Sequence, residues 1–101
     1  MLTCKVYDEE GKEIFSKPIK HFSERIRRDN GLELSCLFSV LAKNAATEID
    51  GYTDLVCHPI GKVAIYGGET LIVEYERYNA VHSVQIDYGD MEFSGVLSFV
   101  V

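Results

Sequence analysis

No glycine-rich phosphate loop, nucleophile elbow or dinucleotide fingerprint occurs in these 101 residues. The common sequence signatures of nucleotide binding and acyl transfer are therefore missing. No apolar run approaches membrane-spanning length, and Met1–Tyr7 lacks the apolar stretch of a secretory signal. Cysteine is scarce: the 3 present leave at least one thiol unpaired, and no Cys/His spacing suits zinc. A reducing, cytoplasmic setting is expected. His58 follows Cys57, but consecutive strand residues point to opposite faces, which prevents a thiolate–imidazolium pair. Bases are also outnumbered: 10 Lys and Arg against 16 Asp and Glu give a formal net charge of -6. That balance opposes direct binding to nucleic-acid backbones, which requires neutralising phosphates. The reading is non-enzymatic, with no catalytic residue, metal ligand or cofactor.

What is present suits one folded domain over residues 1–101. Apolar residues make up 47% and aromatics 11%, a composition able to bury a modest core without staples. The expected fold class is α+β. Leu2, Cys4 and Val6 alternate with Thr3, Lys5 and Tyr7 as a half-buried strand, and Glu13–Phe15 returns as its hairpin partner. Pro18, which has no N–H for a ladder, should end that pairing. Ser23 would cap a short helix through Arg28.

A long amphipathic helix is expected next. Asn30 and Glu33 have capping-box spacing. Leu34, Leu37, Phe38, Leu41 and Ala45 recur at three- and four-residue intervals, which puts them on one helical face. The helix should stop by Gly51.

From Thr53 to Val101 the chain reads as a curved five-stranded antiparallel meander broken at Pro59-Ile60-Gly61, Gly67-Gly68, Asn79-Ala80 and Gly89-Asp90. A two-residue turn at Gly89-Asp90 would pair Tyr88 with Met91 and Ile86 with Phe93, and a two-residue turn at Asn79-Ala80 would set Val73 beside Ile86. A three-residue loop at Gly67-Gly68-Glu69 keeps Val63 and Ile65 on the same inner face. Cys57 and Leu55 would join them from the first strand. One helix against a coiled meander is similar in outline to cystatin-like folds, a likeness of topology that carries no function.

The same register sends Glu74, Glu76, Asp87 and Glu92 outward, with Asp90 in the adjoining turn and Asp87 directly facing Glu92. Like charges so placed disfavour each other. Such an acidic face suits docking to a protein partner with a basic surface. The expected function is thus a small protein-binding module that occupies a basic, nucleic-acid-binding surface. Phage or mobile-element anti-defence proteins of the anti-CRISPR sort, and immunity proteins, act in that manner. Two alternatives stand beside it. One is a small-molecule-binding or enzymatic cone with its pocket between helix and sheet. The other is a self-assembling subunit, a homodimer joined along Val96, Ser98 and Val100 of an open terminal strand. Lys17 to Arg28, with five bases against Glu24, forms a contrasting basic segment.

Overall fold

The computed structural model describes residues 1–101 and contains eight strands. In chain order they are β1 (Leu2–Tyr7), β2 (Glu13–Ile19), β3 (His21–Ile26), β4 (Leu32–Leu41), β5 (Lys62–Gly67), β6 (Thr70–Tyr75), β7 (Ala80–Asp87) and β8 (Glu92–Val100). One helical segment joins β4 to β5. It consists of a 3-10 turn at Ala42–Asn44, helix α1 at Ala45–Thr53 and a second 3-10 turn at Asp54–Cys57. The strands form two four-stranded antiparallel sheets, ordered β2-β1-β5-β6 and β3-β4-β8-β7. Both sheets bury one face in a single core that contains Cys4, Val6, Val63 and Ile65 of the first and Leu34, Phe38, Leu97 and Phe99 of the second.

The expected long helix does not form. Its first ten residues are strand β4, and the expected short helix from Ser23 to Arg28 is largely strand β3. The Asp29–Gly31 segment read as a helix break is the hairpin turn between them. Asn30 takes a positive φ of 65°, and Arg27 and Gly31 close the turn through Arg27 N–H to Gly31 O at 2.7 Å. Leu32–Leu41 supports two periods at once. Alternation puts Leu34, Cys36, Phe38 and Val40 fully inside, and each such burial is worth about 1.5–3 kcal/mol. Helix propensities differ by at most about 0.7 kcal/mol per ordinary residue, so the pattern that fills the core wins. Leu37 and Leu41, which completed the helical face, are left 41% and 50% exposed.

The five-stranded meander is also corrected. Its expected first strand is helical instead: α1 runs through Gly51 to Thr53, and Leu55 is buried from the 3-10 turn while Cys57 is exposed. Gly51 lies under the end of the Lys17 side chain, whose Cε would be 2.5 Å from a Cβ there. The inner neighbours of Val63 and Ile65 are Val6 and Cys4, because the N-terminal hairpin pairs with β5 through β1. β6 and β7 do not pair: residues 76–79 cross from one sheet to the other. Pro18 lies within β2 and pairs with Thr3, as an outermost strand allows because one side of its ladder carries no bonds.

α1 is held against both sheets by Tyr52. Its ring stacks on Phe38 at 3.7 Å between centroids, meets Phe15 edge-on at 5.5 Å, and its hydroxyl donates to Pro18 O at 3.3 Å. Phe38 in turn lies across Gly95 on β8, where an added Cβ would sit 2.2 Å from Cζ. The cystatin-like outline has no counterpart here. The segment expected as the cone's helix is strand β4, packed on Tyr52 through Phe38 and paired with Phe99 through Leu34.

Candidate protein-binding surface

From Ser83 onward the β7–β8 hairpin keeps the predicted facing but not the predicted register. Before the unpaired His82 the facing reverses, and Tyr78 and Val81, expected outward, lie in the core. Ile86 pairs with Gly95, Val84 with Leu97 and Asp87 with Ser94, two residues displaced from the expected pairs. The last pair is Asp87↔Ser94, so Tyr88–Phe93 make the connection, with Tyr88, Gly89, Asp90 and Met91 lying between the strand ends. The loop is tight at its base, since a Cβ on Gly89 would meet Glu92 O at 2.4 Å. It is anchored where Ala42 N–H donates to Met91 O at 2.9 Å.

The crossing from one sheet to the other splits the expected acidic face of Glu74, Glu76, Asp87 and Glu92, with Asp90 in its adjoining turn. Glu74 lies on β6 opposite Ala64, bridged to Lys62 Nζ at 3.2 Å, and Glu76 lies in the crossing to β7. Asp87, Asp90 and Glu92 gather at the β7–β8 loop of the other sheet. Asp87 does not face Glu92, whose cross-strand partner is Leu41. A Ser39 hydroxyl and Lys20, its Nζ 3.3 Å away, hold the Glu92 carboxyl below its usual range. Asp87 and Asp90 join no ion pair.

Between these acids lies apolar surface that the sequence had assigned to the inner face. Tyr88 is 77% exposed and Met91 83%, with the Tyr88 ring edge-on to Phe93 at 4.9 Å. Two hollows flank the loop. One of about 410 Å³ runs between Tyr88, Phe93 and the Ala45–Ile49 side of α1. The other, of about 340 Å³, lies between Met91, Asp90 and Leu41. An apolar centre holding an aromatic ring and a methionine, rimmed by charge, has the composition of a protein interface. Sequence reasoning missed Tyr88 and Met91 because a register shift of two residues leaves every paired strand residue on the same face.

Val96, Ser98 and Val100 lie on β8, which is flanked by β4 and β7, so the open terminal edge expected there is absent. These residues belong to the outer face of the second sheet. Ser98 stands in a row of four serines across all its strands, Ser23–Ser35–Ser98–Ser83, and is 6% exposed. Beside that row Glu33, itself buried, accepts from Arg25 at 2.9 Å and from the Ser35 hydroxyl at 3.3 Å.

Two further sets of titratable groups pair within the fold. Arg77 and Tyr78 both donate to the Glu24 carboxylate, and burial raises the fully buried Tyr78 phenol. The Cys36 sulfur, followed by burial, raises the Cys4 thiol, which opposes thiolate formation. No group of three or more His, Cys, Asp or Glu side chains converges as a metal site would require. No helix is long and apolar enough to cross a membrane. The chain matches no protein-family model, and neither curated proteins nor solved structures give a match.

Proposed function

We propose that this chain is a non-enzymatic protein-binding module that docks on a basic surface of a partner through the β7–β8 loop. The observation carrying the reading is the exposed Tyr88–Met91 pair set between the unpaired carboxylates of Asp87 and Asp90. The ring and thioether supply area to bury, and the acids steer a basic partner and reject an acidic one. Glu92 contributes less than its position suggests, because Lys20 already neutralises it. Glu74 and Glu76 belong to a different sheet margin and are not part of this surface. A module of this kind would act as an antagonist, covering a nucleic-acid-binding surface as anti-defence or immunity proteins do. Three free cysteines, two of them buried, support a reducing, cytoplasmic setting.

The test is affinity capture from host extract, followed by titration of the captured protein, purified, against two variants. Tyr88→Ala with Met91→Ala should weaken binding by roughly 30-fold or more, as loss of an interface hot spot does. Asp87→Lys with Asp90→Lys should slow association and reverse its salt dependence. Wild-type binding by both variants, with folding intact, would remove the loop from the interface.

A further inference from the structure

Four strands border the two sheets: β2 and β6 on one, β3 and β7 on the other. Three of them are irregular. The register skips Ile14 in β2, Ile72 in β6 and His82 in β7, so each border strand carries one extra residue without a cross-strand partner. Such bulges twist a border away from further pairing, and Pro18 adds to the effect in β2. β3 has no such device. Its six residues pair in unbroken register with β4, from His21↔Leu37 to Ile26↔Leu32. No backbone group of His21–Ile26 takes part in the hydrogen bonds that turns and loops add. Its outer ladder is open.

The charges around that ladder decide what fits it. Glu33 is buried and Glu24 is engaged by Arg77 and Tyr78, whereas Arg25 and Lys20 keep most of their side chains in solvent. Arg28 joins no ion pair. Arg25, Arg27 and Arg28 line a hollow of about 440 Å³ at the end of the strand, together with Ile26, Asp29, Glu33 and His82. Arg27 is paired with Asp29 at 3.8 Å and Arg25 with Glu33, which leaves Arg28 as the arginine without a carboxylate. A second copy paired antiparallel on β3, with His21 opposite Ile26, would set Arg27 against Lys20 and Arg25 against Phe22. It would oppose like charges and offer Arg25 no carboxylate. The two faces of β3 also differ. His21, Ser23 and Arg25 face outward with the serine row, while Phe22 and the 72% exposed Ile26 lie on the core side.

We infer that β3 accepts an extended segment of another protein in which acidic and apolar residues alternate, added as a fifth strand to the second sheet. Main-chain bonds to the open ladder supply affinity, as in other strand additions. The apolar residues cover Phe22 and Ile26, and the acidic ones meet Arg25 and its neighbours. The site is separate from the β7–β8 loop and stands whether or not that loop binds a partner.

The probe is a short peptide alternating valine and glutamate, with a valine–lysine peptide of equal length as control. Amide hydrogen exchange reads the site of binding. The valine–glutamate peptide should slow exchange at those β3 amides that do not bond to β4, and salt should weaken it. Lys20→Glu with Arg28→Glu should lower its affinity about tenfold; Arg25 stays because it neutralises Glu33. Circular dichroism of the variant separates lost binding from lost folding. Equal binding of the lysine peptide, protection at β2, β6 or β7 in place of β3, or no protection at all would overturn the inference.

Discussion

Tyr52 shows how one side chain joins helix and sheets. Burial, with Glu48 adding repulsion, pushes its phenol up to about 12, against about 10 in an unfolded chain. Between those values the folded protein binds the extra proton. This contribution to stability is intact below about pH 10 and is lost as pH rises through about 12. Urea midpoints should fall across that window, and the fall should be shallower in Tyr52→Phe. At neutral pH the same variant should lose about 0.5–1.5 kcal/mol, the worth of its hydroxyl bond to Pro18. Gly95 works by absence at the same scale: the ring of Phe38 occupies the space its side chain would take.

Strand β4 is the element on which the fold turns. As a helix, Leu37 and Phe38 would share one buried face; as a strand they lie on opposite sides of a sheet. Leu37→Lys should therefore change stability by no more than about 0.5 kcal/mol. Phe38→Ala should cost about 3–5 kcal/mol, since it empties the space between Tyr52 and Gly95. Comparable large losses in both variants, measured by urea unfolding, would contradict the strand. The β7–β8 hairpin teaches a related lesson. Its facing from Ser83 onward was legible from alternation, but its register was not, and the exposure of Tyr88 and Met91 depends on that register.

Across the whole molecule, the three bulges share one role. Each lies on a border strand, and the interior pairs β1–β5 and β4–β8 run without interruption. Border irregularity of this kind opposes association between copies. Ile72 is the extra residue of β6, so deleting it leaves the pairs Ile65↔Val73 and Tyr66↔Leu71 available while removing the bulge. The deletion variant should self-associate in sedimentation velocity under conditions where the parent does not. Identical sedimentation of the two would show that the bulge is not what blunts this border. Charge is arranged at the same scale, with basic groups along β3 and acids at the β7–β8 loop.

Local chemistry by itself determined β1, with Cys4 and Val6 inward, and the inward facing of Val63, Ile65, Val84 and Ile86. It also determined that Asp29–Gly31 breaks regular structure. Period-two alternation needs only neighbouring residues, so it survives any tertiary arrangement. Tertiary structure decided the rest. Leu32–Leu41 satisfies a helical and an extended period alike, and only the partners waiting on β3 and β8 select between them. The segment Ala42–Cys57 carries the helix instead, with the Tyr52 ring seated against Phe38 and Phe15. Parting Asp87 and Asp90 from Glu74 follows from the crossing between sheets at residues 76–79. A crossing is a choice among distant partners, and distant partners leave no mark on local spacing.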